Sequence, residues 1–371
     1  MALERGETTQ FRQERLAEIR SQREAGRKVI GYLCLYAPVE LIQASGAIPV
    51  RLSLGGHEAE IAGTKYLRSD ACTFCKSCLG NFENDPLYAL VDAVVVANTC
   101  DMMRRLPESI MRHFRKPVLE VYVPRTAEAL PHRLSEFRRQ LELLRGGLGG
   151  ITGQMAEDDG LRAAVASYNS IRQGLRAIDE LRLADAPRVS ESRMLALAAL
   201  SWRLSPEQAG LVLSEAGPAA SDPGEAAGRR RPRLMLGGSM LAEDDLWLVE
   251  LIERRADIVV DVLCTGGRSF AEDVPETEDP LDGLTRFYYG RIPCMHRRPN
   301  DAFYDYARRL ARERRVDGFV YKTLLYCDAY SFEAKRLKQA LGLPMLHLDT
   351  DYSYENREQV RTRVEAFLEM L

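Results

Sequence analysis

Eight short apolar runs alternating with stretches of helical spacing constrain this chain more than any other feature. In the first half they are VIGYL (29–33), AIPVRLSL (47–54), AVVVAN (93–98) and PVLEVYV (117–123). In the second they are LMLGG (234–238), DIVVDVL (257–263), GFVYKTLLY (318–326) and LPMLHLD (343–349). Continuous apolar runs are how strands buried on both faces read, and their alternation with helices indicates parallel sheets covered on both sides. A chain of 371 residues is also long for a single core. The expectation is an α/β protein with two doubly wound parallel-sheet domains, each with its own core.

Between the two sets of strands the pattern changes. Residues 127–216 carry helical periodicity with almost no β-branched runs, and read as a helical insert or cap. Residues 217–233, rich in Gly, Pro, Ala and charge, read as a solvated linker. Residues 1–28 are charged, with Phe11, Leu16 and Ile19 near helical spacing. They read as an N-terminal helical arm that packs elsewhere, a partner chain being one candidate. This division leaves 29–126 and 234–371 as the two α/β domains.

Charge and composition narrow the function. The net charge of −3 gives no electrostatic reason to expect nucleic acid or an anionic membrane surface as partner. No apolar run approaches the length of a bilayer span, and the N-terminal residues lack the apolar stretch of a signal peptide, so the expected location is the cytoplasm. Structural disulfides are rare there, which turns attention to the eight cysteines as metal ligands, redox groups or buried small residues.

Their positions are informative. Cys34, Cys100, Cys264 and Cys327 each follow a predicted strand, two in each half, at the sheet edge where open α/β folds bind ligands. Cys72 and Cys294 lie in segments between strands. If the two sheets face each other across a cleft, six thiols converge there, too many for one mononuclear site. Zinc competes, but a four-cysteine zinc site needs a second close C-x-x-C pair, and beyond residues 72–78 the cysteines are isolated. Dispersed thiols suit an iron–sulfur cluster better. The stretch DACTFCKSCLG (70–80) also matches the opening of a bacterial ferredoxin run, Cys72, Cys75 and Cys78 being its members. That run continues with a further cysteine and proline, which are absent here, and on a helix this spacing drifts around the axis. Cys75 and Cys78 then read as small buried hydrophobes.

GYLCLYAPVELIQASGAIPVRL, LRSDACTFCKSCLG, ANTCDMMRR, YVPR and the ending LGLPMLHLDTDYSYENREQVRTRVEAFLE occur in that order. Together they resemble the 2-hydroxyacyl-CoA dehydratase and benzoyl-CoA reductase superfamily over both α/β halves. The resemblance implies two Rossmann-like domains with an iron–sulfur cluster in the cleft between them. It also implies a separate dimeric ATPase, with its own 4Fe-4S cluster, that delivers low-potential electrons. The set Cys34, Cys72, Cys100, Cys264, Cys294 and Cys327 is similar to that of the double-cubane cluster proteins. By that resemblance Cys72, Cys100 and Cys327 hold one cubane and Cys34, Cys264 and Cys294 the other, an 8Fe-9S cluster in all. The implied function is ATP-dependent reduction of small unsaturated molecules, with a homodimer as the expected assembly. One alternative is a dehydratase or acyl-CoA reductase subunit with a single 4Fe-4S cluster. Another is a non-catalytic electron-transfer or cluster-carrier protein, whose cluster would be exposed at the surface.

The remaining candidates read modestly. His296, in an MHRRP loop, reads as solvated, with proton donation or a hydrogen bond to a cluster sulfur as the alternatives. Asp101 reads as a helix cap. Arg104, Arg105 and Lys76 are candidates to offset cluster charge, and His347 and the acids of LDTDY to serve strand-end packing and turns. The pairs Gly55–Gly56, Gly237–Gly238 and Gly266–Gly267 permit close backbone approach, and their N–H groups are candidate donors to cluster sulfur. No G-x-x-x-x-G-K-[ST] loop occurs, so ATP hydrolysis falls to another protein.

Overall fold

Strands made of Val, Ile, Leu and Ala with no polar alternation can only lie in the middle of a layered fold. A computed structural model describes residues 5–184, 187–219, 231–291 and 294–371, and places them so. β1 (Val29–Leu33), β2 (Ile48–Arg51), β3 (Ala93–Asn98) and β4 (Val118–Tyr122) form one sheet, in the order β2-β1-β3-β4. β5 (Arg233–Gly238), β6 (Asp257–Asp261), β7 (Gly318–Leu324) and β8 (Met345–Thr350) form a second, in the order β6-β5-β7-β8. All neighbouring strands are parallel. The two halves therefore repeat one topology, with the chain reversing direction across the sheet between β1 and β3 and again between β5 and β7. That reversal point opens a crevice at the carboxyl edge.

The helices cover the sheets unevenly. Pro131–Thr152, Asp158–Glu180, Glu191–Ser201 and Pro206–Ala219 make up the middle of the chain. They do not cap one half alone. A single apolar cluster joins Ile30, Val95 and Val121 of the first sheet to Leu141, Ile171, Leu197 and Val212 of these helices, and on to Met235, Val259 and Phe319 of the second sheet. Separate cores, as expected from the sequence, exist only on the opposite faces. One contains Val29, Val94, Cys78 and Phe82, and the other Leu234, Val249, Val320 and Phe367. The halves are thus bonded through a shared apolar layer.

Two other expectations change. The last middle helix runs to Ala219, past the boundary at 216, and residues 220–230 of the linker lie outside the described residues. The N-terminal helix Arg5–Glu24 lies on its own chain. Ile19 is fully buried, Arg12 pairs with Asp85, Arg23 meets Asp92 at 2.8 Å, and Arg15 donates to the Arg203 carbonyl at 3.0 Å.

Candidate functional site

The carboxyl edges of the two sheets are held against each other by contacts between segments far apart in the chain. The backbone N–H and Oγ1 of Thr73 both donate to the Leu325 carbonyl at 3.3 Å, which sets Cys72 beside Cys327. The Arg51 guanidinium, at the end of β2, donates to the Cys264 carbonyl at 2.8 Å. The Arg298 N–H donates to the Arg125 carbonyl at 2.6 Å, tying the loop after Cys294 to the end of β4.

Three of the six candidate cysteines sit at helix starts. Cys72 precedes Thr73–Asn84, Cys100 precedes Asp101–Phe114, and Cys327 precedes Asp328–Ser331. The Cys100 sulfur accepts the Met103 N–H at 3.5 Å, so Cys100 is the cap, and not Asp101. The free N–H groups and dipole of a helix start favour a thiolate. Cys34, directly after β1, has φ 73°, and Tyr326, just before Cys327, has φ 64°. Neither side chain adopts this left-handed backbone readily, and such outliers gather at functional sites. Thr99 donates its hydroxyl to the Cys34 sulfur at 3.6 Å. Cys264 and Cys294 lie in irregular segments after β6 and after helix Pro280–Gly290. Cys72 and Cys294 are buried and the other four half-buried.

The thiols divide electrostatically into two sets. Hydrogen bonds from the Cys327 and Cys75 thiols hold Cys72 well below its usual value, while the same bonds, with burial, raise Cys75 and Cys327. Burial raises Cys100 to about 12, with a further push from the charge of Cys72. These four form one set. In the other, burial raises Cys34 to about 11, and Cys294 and Cys264 add to the rise. Burial would raise Cys294 too, but the charge and hydrogen bond of His296, with Arg268 and Tyr330, pull it down to about 5. The sets meet where Cys100 feels both Cys34 and Cys294. Cys78 stands apart: fully buried, it is raised to about 12 by burial alone.

The side chains around the second set were not evident from the sequence. Arg268, 3% exposed, donates to the Tyr330 hydroxyl at 2.9 Å, and that hydroxyl lies 2.9 Å from the Cys294 sulfur. The signal was adjacency, since Arg268 lies four residues after Cys264 and Tyr330 three after Cys327. His296 is half-buried against Cys294, and so is not the solvated residue expected. Arg104 and Arg105 are exposed, and Lys76 is paired with Glu60 at 2.9 Å. His347 and Asp349 both bond Thr323 at 2.8 Å, as strand-end packing requires. The glycine pairs serve packing within the chain. The Gly267 N–H donates to Asp261 at 2.8 Å, and a Cβ at Gly238 would strike the Lys322 carbonyl.

Among the described residues no group of three or more His, Cys, Asp or Glu side chains is arranged to hold a single metal ion. The donors that do approach one another are sulfurs. A cubane binds each thiolate to its own iron, so its ligands need not converge on one point as they must around zinc. The thiol chemistry therefore fits an iron–sulfur cluster better than a mononuclear site.

Comparison with known proteins agrees on the kind of chain this is. The family described as HGD-D: 2-hydroxyglutaryl-CoA dehydratase, D-component, matches residues 34–371. The Escherichia coli chain YjiM, which carries a provisional dehydratase-subunit name, is 28% identical over 98% of this chain and 96% of its own length. The (R)-phenyllactyl-CoA dehydratase beta subunit of Clostridium sporogenes is 24% identical over 94% of this chain and 93% of its own. A benzoyl-CoA reductase subunit of Thauera aromatica is 24% identical over 85% of this chain and 82% of its own.

Proposed function

Because the chain belongs to the 2-hydroxyglutaryl-CoA dehydratase D-component family, we propose that its six grouped thiols hold a double-cubane 8Fe-9S cluster and that it reduces small unsaturated substrates. In this reading electrons come from a separate dimeric 4Fe-4S ATPase, since the chain has no phosphate loop of its own. The observation that carries the reading is the division of the thiols. Cys72, Cys100 and Cys327, with Cys75 beside them, make one set and Cys34, Cys264 and Cys294 the other, joined through Cys100. One cubane needs only the first set, and the second set has no other evident use.

When bound, such a cluster would supply low-potential electrons, more than one at a time if two cubanes are linked. The chain's own residues do the rest. Helix starts stabilise the thiolates of Cys72 and Cys100. Arg268 and His296 offset negative charge at Cys294 and Cys264. Cys72 and Cys294 are buried and the other four are half-buried, which limits water and would keep a cluster potential low, and it also weighs against a carrier protein with an exposed cluster.

The relatives favour a second reading. They are dehydratase and reductase subunits, one of those named above being a beta subunit, which supports a subunit of a hetero-oligomeric acyl-CoA enzyme. In that second reading the chain would hold a single 4Fe-4S cluster. Iron and sulfide analysis with EPR on anaerobically purified chain separates the two. A double cubane gives about eight irons per chain and a single cubane about four. Zinc with no iron would overturn both, and ATPase activity intrinsic to the rigorously purified chain would overturn the need for a partner.

A further inference from the structure

We propose that Tyr330 is a positioning residue that ties the two sets of thiols together, its backbone fixed to Cys327 of the first and its hydroxyl donating to the Cys294 sulfur of the second. The hydroxyl and the sulfur it meets lie 36 residues apart in the chain, so only the fold brings them into contact.

The backbone half of the tie is set by β7. The Tyr330 N–H donates to the Cys327 carbonyl at 3.1 Å, and the Tyr330 carbonyl accepts the Tyr321 hydroxyl at 2.9 Å. Tyr321 is fully buried on β7, the strand that runs into Cys327. The bond to Cys72 and burial raise the Cys327 thiol, and the Tyr330 N–H opposes that rise. Tyr330 is itself 6% exposed, so its hydroxyl must find partners inside the protein.

The direction of the hydroxyl's bond follows from counting protons. Arg268 carries five N–H donors and no acceptor, so in its 2.9 Å contact with the Tyr330 oxygen it is the donor. A phenol has one proton, and among the described residues its one remaining partner is the Cys294 sulfur at 2.9 Å. If Cys294 donated instead, the phenol proton would be buried without an acceptor, a loss of about 1–3 kcal/mol. The arrangement that satisfies every group runs from Arg268 to Tyr330 to Cys294 and ends on a sulfur that accepts. A thiolate is such a sulfur, and the thiolate is the form that binds metal. Arg268 is anchored in turn, its backbone N–H donating to the Leu263 carbonyl at 3.1 Å beside Cys264.

Hydrogen bonds to the sulfurs are among the factors that set an iron–sulfur potential. A donor grows stronger as negative charge builds on the sulfur it faces, so the Tyr330 bond favours an electron on the second set. The Arg268 cation behind the phenol polarises it and strengthens it as a donor. Removing the hydroxyl alone changes no formal charge, which separates the part played by Tyr330 from that of Arg268. A hydroxyl that served only packing would affect stability and leave the potential where it was. The inference deepens the function proposed above and rests on that reading for the iron, while the hydrogen bond rests on geometry.

The test compares anaerobically purified wild type, Tyr330→Phe and Cys294→Ser. Each is measured by iron analysis, by redox titration followed by EPR, and by ENDOR on samples reconstituted in H2O or D2O. Tyr330→Phe should keep wild-type iron. The signal that Cys294→Ser loses should become about three- to ten-fold harder to reduce at a given potential, a part of the strength of one charge-assisted hydrogen bond. Ten-fold is a fall of about 59 mV for one electron. The other signal should not move. In wild type the affected signal should show an exchangeable proton that D2O removes, and in Tyr330→Phe that coupling should be missing. Unchanged iron with an unchanged potential in Tyr330→Phe would overturn the proposal and leave the cluster reading standing. The absence of any exchangeable proton in wild type would do the same, and that measurement stands even where Tyr330→Phe fails to hold iron. Full iron in Cys294→Ser would overturn the cluster reading of the second set, and the tie with it.

Discussion

The two sets of thiols solve one problem by different means. Cys72, Cys100 and Cys327 each stand at a helix start, and at Cys100 the Met103 N–H meets the sulfur. Cys34, Cys264 and Cys294 have no helix behind them: the Tyr36 backbone and the Thr99 hydroxyl act on Cys34, and the side chains of Arg268, Tyr330 and His296 act on Cys294. Topology explains part of this. Cys100 and Cys327 follow the equivalent strands β3 and β7, and Cys72 and Cys294 fall in equivalent intervals between strands. Cys34 and Cys264 follow β1 and β6, which are not equivalent. Four thiols come from repeating a fold, and two were placed outside the repeat. Backbone support survives side-chain mutation, whereas side-chain support does not, so the sets should fail differently.

The largest expected effect comes from removing a thiol. Cys34→Ser or Cys294→Ser should lose about half of the iron and all small-molecule reduction, while Cys72→Ser should lose the other half. Iron analysis with EPR on each variant checks this. An unchanged iron content in Cys34→Ser and Cys294→Ser would mean that the second set only packs. Normal turnover of an acyl-CoA by Cys34→Ser would favour the dehydratase reading.

A smaller effect should separate the sets by charge. Arg268→Met removes a buried cation that faces Cys294 and Cys264 but none of the helix-start thiols. The iron of the second set should become harder to reduce, its midpoint potential falling by some tens of millivolts, about 1 kcal/mol. The first set should keep its potential. Redox titration followed by EPR reads both, and equal shifts in the two would erase the distinction drawn here.

Comparable in size is the link between the sets. Glu333, in the segment after Cys327, is buried and holds Arg298 and Tyr304, thereby fastening the loop after Cys294. Burial alone would raise its carboxyl, but hydrogen bonds from Tyr304 and Arg298 outweigh it and hold the group below the usual range. A depressed folded value means that the stabilisation is present above the unfolded carboxyl value of about 4.3 and is lost as pH falls through the folded one. Glu333→Gln should therefore cost about 1–2 kcal/mol at pH 7. The gap to wild type should close on acidification below about pH 4, as thermal melts across that range would show.

Why some of this was legible in sequence and some was not has a physical basis. Parallel strands buried on both faces leave continuous apolar runs, so VIGYL and AVVVAN match β1 and β3 residue for residue. Short helices such as His57–Gly63 and Pro86–Leu90 carry too few turns to show a period. The shared core was hidden because the helices that form it are amphipathic toward two sheets at once. At the site, strand ends mark where a thiol can stand, so four positions could be read locally. Arg268 beside Tyr330, or Arg51 beside Cys264, depends on how the halves dock, and no local pattern encodes that.

The smallest effects concern the two remaining cysteines, Cys75 and Cys78, and they test how sharply the sets are bounded. Cys75 and Cys78 lie on the helix that Cys72 begins, and both are buried. They differ in company. The Cys75 thiol bonds Cys72 and feels Cys100, whereas Cys78 is perturbed by burial alone and packs in the apolar cluster with Val94, Leu79 and Phe82. Cys78→Ala should therefore keep full iron and lose only packing, about 1 kcal/mol. Cys75→Ala should also keep full iron, because Cys72, Cys100 and Cys327 already supply the three positions that the first set requires. Loss of half the iron in Cys75→Ala alone would make Cys75 a ligand and leave the two sets unequal in number. Loss in both variants would restore the ferredoxin-like reading of DACTFCKSCLG, with the cluster held locally by one helix and the strand-end cysteines reduced to packing.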